Sequence, residues 1–476
     1  MTQKRFSTFI TPLVLLVLIC LLTQATQIAQ GQLKPSPSLY GLGSWDSDSL
    51  GNRRVVIKVE KKTDAVRASI PWRRRDLHPE QKNVIIFDGA TGRRITNTYW
   101  IAVSREKGDV VFEPQTVPGE YQIYYLVYKH KGSRNYPKGV YQPMEKTADE
   151  SWIKKVGLDQ PSKLKERLNQ FPSAQIVQFQ SIDALNSFYP MEVIATADEV
   201  KNLMGKHPQS PYLLFPEDRD HTIKMTTDLP YRWIERGAFQ SFSGSADRGE
   251  FFSFQIGIVA AEAKIEDVKV RMSDLKGPQG QSILANTLSS FNTEGVDWKG
   301  NHFERVTSVE KRNVQALWMG VQVPADASPG IYSGYVIVSP KGMKESRIRF
   351  KLNVSTALAV DGGDNDPAKL TRMRWLNSQL AADDSIVPPF TPLLINGKVL
   401  SCLGREVSLN SFGLPEQIVS FFSPEVTSFV PHGRSILKAP ISLVVEDNNA
   451  TTLPWSGGGI QYMKKTPGVV SWTSKS

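Results

Sequence analysis

The sequence predicts a mainly β protein in which tandem immunoglobulin-like β-sandwich domains are separated by a helical connector and followed by a third, truncated β unit. The main observation is a repeated corner, Pro118-Gly119-Glu120-Tyr121 and Pro329-Gly330-Ile331-Tyr332, each opening a strand-like run. A Pro-Gly pair fits the centre of a type II turn, where glycine takes a positive φ. A tyrosine at the start of a β-rich run is typical of an immunoglobulin-like corner. Two such corners predict two sandwiches.

Alternating side chains are the second observation. In residues 267–272 and 347–354 every second side chain is apolar, and the side chains between them are charged or polar. A strand directs successive side chains to opposite faces of its sheet. One apolar and one polar face are typical of an antiparallel sheet with one face in solvent. These segments are therefore predicted to be strands of the second sandwich.

The first 31 residues have the pattern of a secretory signal. Lys4 and Arg5 precede an apolar stretch at 12–22, and Ala29-Gln30-Gly31 supplies small residues at a cleavage site before Gln32. A membrane anchor is the alternative, but the apolar stretch has about half of the ~20 residues that a spanning helix needs. We therefore expect a secreted, periplasmic or cell-envelope protein with no stable membrane insertion once the signal is removed.

The domain order follows from these patterns. Apolar residues at helical spacing (Leu164, Leu168, Phe171) and a capping box that begins at Thr196 predict helices in the connector. A strand-like run at 468–472 lies close to the last residue, which predicts an interrupted third unit. The predicted organisation is a signal peptide at 1–31, a first sandwich at 40–148, a helical connector at 149–229, a second sandwich at 230–357 and a third β-rich unit at 367–476.

Charge and cysteine usage exclude some classes of protein. The chain has a formal net charge of +10, and its densest basic run, Arg73-Arg74-Arg75, is followed at once by Asp76. This run is interpreted as a solvated loop or strand edge, and no basic stripe interleaved with aromatic residues predicts a nucleic-acid partner. Cys402 is the only cysteine after the signal. It is expected to be a small buried hydrophobic residue, with no disulfide and no cysteine-based zinc site.

Catalytic and metal-binding patterns are missing from the sequence. There is no G-x-S-x-G elbow, H-E-x-x-H helix or P-loop, and the histidines are scattered singly. The acids Glu217-Asp218 with Asp220, and Glu446-Asp447, are interpreted as solvated turn acids. The acidic run at 361–366 lacks the spacing of a known calcium loop and is interpreted as a linker. The sequence therefore predicts no catalytic residue, no metal site and no cofactor.

Several long blocks resemble a known family. PMEVIAT (190–196), LLFPEDRDHTIKMTTDLPYRWIERG (213–237), FSGSADRGEFFSFQIGIVAA (242–261) and VQALWMGVQVPADASPGIYSGYVIV (314–338) resemble the N-terminal, non-catalytic region of secreted bacterial glycoside hydrolases similar to family 123. The blocks at 66–94 and 370–418 extend this resemblance over nearly all of the chain after the signal. The resemblance implies a modular glycosidase, whose family hydrolyses N-acetylgalactosaminides with an Asp-Glu pair in a barrel that follows the sandwiches. No barrel-like tract exists here, so no catalytic residue can be assigned.

Two functions follow as hypotheses. The first is an accessory, substrate-positioning or structural part of a secreted glycoside hydrolase, whose partners are a glycan substrate or a downstream catalytic barrel. The alternative is a non-catalytic carbohydrate-binding or envelope-associated sandwich protein. Exposed aromatic rings would favour sugar binding, because sugars stack on flat aromatic faces. The candidates for stacking are Trp298, Trp318, Trp375 and Tyr332.

Overall fold

The computed structural model describes residues 39–133, 135–297, 299–377 and 384–475. Over these residues the protein is mainly β and forms several separate sheets, as predicted. No helix in this part of the chain has both the length and the apolar character needed to cross a membrane. The signal peptide expected at 1–31 lies outside the described residues.

The first β unit is a two-layered sandwich. Its strands are β1 (Tyr40–Leu42), β2 (Arg53–Val59), β3 (Val66–Ile70), β4 (Val84–Asp88), β5 (Arg94–Ile95), β6 (Thr98–Val103), β7 (Gly108–Phe112), β8 (Gly119–Tyr125), β9 (Tyr128–Ser133), β10 (Tyr136–Tyr141) and β11 (Gln175–Ser181). One sheet has the order β1-β11-β2-β8-β4-β5, the other has the order β3-β7-β6, and β9 and β10 form a separate ribbon. Alternate side chains of both sheets, including Val55, Ile57 and Phe112, are fully buried between the layers.

The first tyrosine corner is present, but its turn differs from the prediction. The Tyr121 hydroxyl donates to the carbonyl oxygen of Thr116 at 2.7 Å and accepts the Thr116 N–H at 2.9 Å. Gly119 does not have the positive φ that a type II turn requires. The reason is that Gly119 is already the first residue of β8, where it pairs with Val59 of β2. The positive φ predicted for Gly119 is therefore wrong.

The helices are α1 (Ser47–Leu50), α2 (Glu150–Lys155), α3 (Leu164–Gln170), α4 (Ala197–Gly205) and α5 (Tyr231–Arg236). In α2 and α3, Trp152 and Leu168 pack against Val111 of the first sandwich. The capping box of α4 is formed as predicted, because Thr196 and Glu199 each accept a backbone N–H of the other. Short 3-10 helices lie at Pro79–Gln81, Pro161–Lys163, Pro190–Glu192, Pro278–Gly280, Ala285–Thr287, Val360–Gly363, Pro367–Lys369 and Thr371–Asn377.

The second β unit is a larger sandwich. Its strands are β12 (Tyr212–Glu217), β13 (Phe242–Arg248), β14 (Phe251–Ala260), β15 (Lys269–Met272), β16 (Leu275–Lys276), β17 (Ser282–Ile283), β18 (Leu288–Ser290), β19 (Glu294–Val296), β20 (His302–Glu304), β21 (Val314–Gln322), β22 (Gly330–Ser339) and β23 (Ser346–Leu358). One sheet has the order β12-β14-β21-β18. The other has the order β13-β23-β22-β16-β17, with β15 also paired to β22. Phenylalanines at 242, 254 and 350 pack against one another between the layers.

The second tyrosine corner agrees with the prediction. The Tyr332 hydroxyl lies 3.1 Å from the carbonyl oxygen of Ser328, to which it donates, and the preceding Gly330 has a φ of +138°. Only glycine adopts this region readily. Both predicted strands of the alternating pattern are also present as β15 and β23, with their apolar residues facing the core.

The segment expected to be a helical connector, 149–229, contributes a strand to each sandwich as well as helices. β11 pairs with β2 in the first sandwich, and β12 pairs with β14 in the second. The boundaries expected at 148 and 230 therefore fall inside the two β units. β11, which follows residue 148, belongs to a sheet of the first sandwich, and β12, which precedes residue 230, belongs to a sheet of the second.

The third β unit begins later than expected. Its strands are β24 (Leu394–Asn396), β25 (Val399–Cys402), β26 (Arg405–Leu409), β27 (Pro415–Phe422), β28 (Phe429–Ser435), β29 (Ile460–Lys465) and β30 (Val470–Ser474). The first five form one antiparallel sheet in chain order, and β29 and β30 form a hairpin. The run expected to open an unfinished strand is thus β30, which pairs with β29. Cys402 is exposed, so the expectation of a buried cysteine is wrong.

Candidate functional site

The arginine run lies where the first sandwich meets α4 and α5. The Arg73 guanidinium donates two hydrogen bonds of 2.7 Å to the Glu199 carboxylate and a third of 3.1 Å to the carbonyl oxygen of Ile194. It also lies over the Tyr231 ring, 3.9 Å from the ring centroid. Arg73 has a φ of +48°, a left-handed conformation that costs an ordinary residue about 1 kcal/mol or more. These contacts hold a strained residue in place.

The neighbouring arginines complete this junction. Arg74 is 3% exposed and donates two hydrogen bonds of 2.9 Å to Asp76, which also accepts from Lys82. Burial alone would raise the pKa of Asp76, but the hydrogen bonds and charges of Arg74 and Lys82 outweigh it, so this pKa is lowered. Arg75 pairs with Glu192 at 2.8 Å. The prediction of a solvated loop is therefore wrong, because Arg73 and Arg75 pair with acids of a distant segment and Arg74 is buried.

A second pair of residues from the first sandwich binds other residues of the same segment. Arg105 donates two hydrogen bonds of 2.9 and 2.6 Å to the carboxylate of Asp228. Glu106 accepts the backbone N–H of Ala197 at 2.7 Å, at the first residue of α4. A carboxylate at this position satisfies a free N–H group and is favoured by the helix dipole. Arg73, Arg75, Arg105 and Glu106 thus bind the first β unit to the segment 192–228 by charge-assisted hydrogen bonds. Side chains of this part of the chain, including Met191, Leu203 and Met204, pack on the second β unit.

A cleft with a volume of ≈ 780 Å³ opens beside this junction. Its floor is apolar, with buried side chains at Ile194, Met204 and Leu229. Its two carboxylates, Glu106 and Asp228, both accept hydrogen bonds from protein groups. A glycosidase needs one carboxyl group free to donate a proton and another free to act as base or nucleophile. The cleft does not offer such a pair among the described residues.

Glu217 is a structural acid, whereas Asp220 is exposed. Glu217 is 1% exposed, and its carboxylate accepts from the Trp233 indole at 2.9 Å, from Arg236 at 2.9 Å and from Arg232 at 3.3 Å. The interpretation of Glu217 as a solvated turn acid is wrong, because Pro216 continues β12 rather than opening a turn. Glu217 instead fixes α5 to the end of β12.

Asp218 and His221 lie beside Glu217. His221 Nδ1 is 2.8 Å from Asp218 Oδ1. Burial would raise the pKa of Asp218, but the hydrogen bond and charge of His221 outweigh it and the pKa is lowered. The ligand atoms of Glu217, Asp218 and His221 lie within 4.8 Å of one another, as in a metal site. Two guanidinium groups already neutralise Glu217, so the group is a poor cation site.

Glu446 and Asp447 are exposed, as expected for turn acids. The Asp447 carboxylate accepts the backbone N–H groups of Asn449 and Thr451, each at 2.9 Å. These hydrogen bonds lower the pKa of Asp447. They also show what the carboxylate does, which is to close a turn.

The four stacking candidates have different surroundings. Trp298 lies outside the described residues. Tyr332 is 1% exposed, so no sugar can reach its ring, because the ring packs in the core and its hydroxyl closes the second corner. Trp318 is half-buried on β21. Trp375 is 52% exposed, but Arg372 lies 5.5 Å from its ring centroid and its indole donates to Asp364 at 3.0 Å.

The sequence interpretation missed the junction residues Arg73 and Arg105. Their acid partners are 126 and 123 residues away along the chain, so no local pattern connects them. The only signal was the arginine run itself, which on its own is more common on solvated surfaces.

Comparisons with known proteins agree with the resemblance seen in the sequence. Residues 43–182 match the N-terminal domain of glycoside hydrolase 123, and residues 393–476 match the third domain of glycoside hydrolase 123. The chain is similar to glycoside hydrolase family 123. The first family 123 match ends at 182, one residue after β11, and the second begins at 393, one residue before β24. No curated protein matches the chain.

Three solved structures show distant similarity to the chain. A family 123 glycoside hydrolase from Clostridium perfringens aligns at 16% identity with a TM-score of 0.26, over 31% of this chain and 28% of that enzyme. The fimbrial subunit MyfA from Yersinia enterocolitica aligns at 12% identity with a TM-score of 0.17, over 24% of this chain and 93% of the subunit. A type I cohesin from Pseudobacteroides cellulosolvens aligns at 11% identity with a TM-score of 0.14, over 25% and 91%. The chain spans 28% of the length of the clostridial enzyme.

Proposed function

We propose that this chain is the accessory, non-catalytic β-sandwich portion of a secreted glycoside hydrolase, which positions a catalytic barrel outside this chain relative to its glycan. The observation that best supports this proposal is the match of two separated segments, 43–182 and 393–476, to two different domains of one hydrolase family. One family-related domain could occur in many contexts. Two in this order favour an architecture of the family 123 type.

The junction supports a positioning role. A part that positions a catalytic domain must hold its own domains in a fixed relative orientation, whereas domains within a chain often move when their interface is small. Here Arg73, Arg75 and Arg105 each pair with an acid of the segment 192–228, which packs on the second unit. The pairs of Arg73 and Arg105 are bidentate, and bidentate pairs fix orientation as well as distance. The junction is therefore suited to a rigid scaffold.

The absence of catalysis is supported by the described acids of the cleft and of the 217–221 group. Glu106, Glu217 and Asp228 each accept hydrogen bonds from arginine side chains or from a backbone N–H. Within residues 39–133, 135–297, 299–377 and 384–475 the sheets do not form a barrel of alternating strands and helices. The alternative function is a stand-alone carbohydrate-binding or envelope-associated protein.

A hydrolysis assay tests the proposal. Purified residues 32–476 should not hydrolyse aryl N-acetylgalactosaminides or other aryl glycosides above the rate of the buffer blank. Glu217→Gln and Glu106→Gln are the matched variants, since each removes the charge of one acid while keeping its shape. Turnover that survives purification and is lost in either variant would show that the chain is an enzyme by itself.

The DNA downstream of codon 476 tests the accessory role. We expect a reading frame there, in phase or shifted, that encodes an alternating strand–helix barrel with an acidic pair. Co-expression of that frame with this chain should give a complex that hydrolyses N-acetylgalactosaminides faster than the barrel alone. Equal rates for the complex and the barrel would contradict a positioning role.

A further inference from the structure

The outer face of the β13-β23-β22-β15 sheet is open to solvent. In β23 the inward side chains Ile348, Phe350 and Leu352 are at most 1% exposed, while Arg347 and Arg349 between them are exposed. In β22 the outward Tyr335 is 46% exposed, although aromatic residues of this size are usually well covered. The face thus carries an exposed aromatic ring on β22 beside a row of cations on β23.

Tyr335 and Arg349 lie directly opposite each other on β22 and β23. The Tyr335 N–H donates to the Ser273 hydroxyl at 2.9 Å, and its carbonyl oxygen accepts the Ser273 N–H at 2.9 Å. Both backbone groups of Tyr335 therefore point away from β23. Tyr335 and Arg349 must form a non-hydrogen-bonded pair, in which the Cα atoms are only about 4.5 Å apart and the side chains lie close together.

Some cations on this face have an acidic partner and others do not. Arg271 and Arg347 both pair with Glu345, at 2.7 and 2.8 Å. In the described part of the chain, Arg349 and Lys351 have no acidic partner within ion-pair distance, although the salt bridges of their neighbours are present. Lys351 is half-buried and lies opposite Ser333 on β22 and Ser243 on β13. Two uncompensated positive charges on β23 therefore lie beside Tyr335, Arg349 directly opposite it and Lys351 at the diagonal position.

We propose that this face binds an acidic polysaccharide. One sugar ring would stack on Tyr335, as sugars do on flat aromatic faces, while Arg349 and Lys351 would bind its carboxylate or sulfate groups. The hydroxyls of Ser333 and Ser243 would accept or donate hydrogen bonds to sugar hydroxyls. A neutral glycan would leave both cations without a partner. Single-stranded nucleic acid is disfavoured, because such surfaces offer several aromatic rings in succession.

This inference rests on the proposed glycan setting of the protein, but it concerns binding and not hydrolysis. Its failure would leave the accessory role intact, since a scaffold needs no glycan contact of its own. Conversely, turnover in the hydrolysis assay would overturn the accessory role without affecting this face, because the acids tested there lie elsewhere. The two proposals can therefore fail separately.

Affinity electrophoresis of purified residues 32–476 tests the inference. The probes are polygalacturonate for carboxylate groups, dextran sulfate for sulfate groups and unmodified dextran as the neutral polymer. We expect retardation by one or both acidic polymers and none by dextran. Retardation by dextran sulfate alone would assign the face to sulfated glycans, and by polygalacturonate alone to uronic acids. No retardation by either acidic polymer would overturn the proposal.

Matched variants distinguish binding at this face from attraction due to the net positive charge of the chain. Tyr335→Ala and Arg349→Gln should each weaken binding about fivefold or more, and Tyr335→Phe should bind almost as the parent does because it keeps the ring. The controls are Tyr136→Ala, whose ring is 82% exposed on β10, and Arg434→Gln, an exposed cation on β28. Equal losses in Arg349→Gln and Arg434→Gln, or unchanged binding in Tyr335→Ala, would show that net charge alone is responsible.

Discussion

Replacing Arg73 by alanine should uncouple the first sandwich from the second. The guanidinium of Arg73 makes three hydrogen bonds across the junction and lies over Tyr231. Alanine removes all of these contacts and leaves the Glu199 carboxylate with only the Thr196 N–H of the capping box. Because alanine at a φ of +48° is as strained as arginine, the substitution does not relieve the backbone in exchange.

The expected loss in the free energy of unfolding follows from how exposed the ion pair is. An exposed ion pair contributes about 0.2–1 kcal/mol, and breaking a buried one costs about 3–5 kcal/mol. The side chains of Arg73 and Glu199 are 14% and 26% exposed, which places the pair between these limits, at about 2–3 kcal/mol. Loss of the cation–π contact with Tyr231 adds about 0.5–1 kcal/mol. We therefore expect a loss of about 2.5–4 kcal/mol.

Urea unfolding followed by tryptophan fluorescence measures this loss. The parent should unfold with its first two units coupled, whereas Arg73→Ala should show an earlier transition for one of them. Arg75→Ala is the matched control, with the same substitution two residues away at the same junction. Its pair with Glu192 is more exposed, at 49% and 22%, so its cost should stay below about 1 kcal/mol. Equal costs for the two variants would refute the view that Arg73 holds the junction.

Three further predictions concern pH, glycines and local stability. The hydrogen bonds from Arg73 lower the pKa of Glu199 against the opposing effect of burial. The pair therefore stabilises the fold at pH values above the unfolded pKa of about 4.3. This contribution to stability is lost as the pH falls through the folded pKa. Acid titration of unfolding free energy should therefore be steeper below about pH 4 in the parent than in Arg73→Ala, and parallel curves would contradict it. Gly330→Ala and Gly119→Ala should each cost about 1 kcal/mol or more in melting experiments, because a Cβ would lie 2.6 Å from Pro278 Cγ and 2.5 Å from the Thr116 carbonyl oxygen. Gly205→Ala, in open space at the end of α4, should be neutral or stabilising, and an equal loss in all three would count against the corner argument. Hydrogen exchange should be faster in β25 and β28 than in β14, because among the described residues from 393 to 475 only two apolar side chains, Leu400 and Leu409, are buried. Equal protection would indicate a well-packed third unit.

The elements that the sequence predicted correctly depend on short-range patterns. Residues 267–272 and 347–354 alternate with the period of a strand, and the core against which they pack follows from that period. The capping box at Thr196 and the tyrosine corner at Tyr332 are also local, since their hydrogen bonds join residues three and four positions apart. Such patterns carry their own geometry, so they could be identified without the fold.

The errors arose where a distant partner decides the environment. Arg73 resembles a surface residue until the chain brings Glu199 to it from 126 positions away. Glu217 follows a proline and resembles a turn acid, yet β12 continues through Pro216. A proline is tolerated there because β12 is the edge strand of its sheet, where no hydrogen bond between strands is lost. In both cases the local pattern was ambiguous, and the tertiary fold selected the rarer outcome.

At the acidic run 361–366, ion pairs rather than amino-acid composition determine where the second β unit ends. Asp364 accepts hydrogen bonds from Thr371 at 2.7 Å, from Arg374 at 2.6 Å and from the Trp375 indole at 3.0 Å. Lys369 then donates to Asp247 and to the fully buried Glu250 of the second sandwich. Breaking these pairs would leave a buried carboxylate partly unpaired, which is costly. The stretch from 360 to 377 is therefore fastened to the second sandwich although it is rich in charge and glycine, and the third β unit starts only at β24.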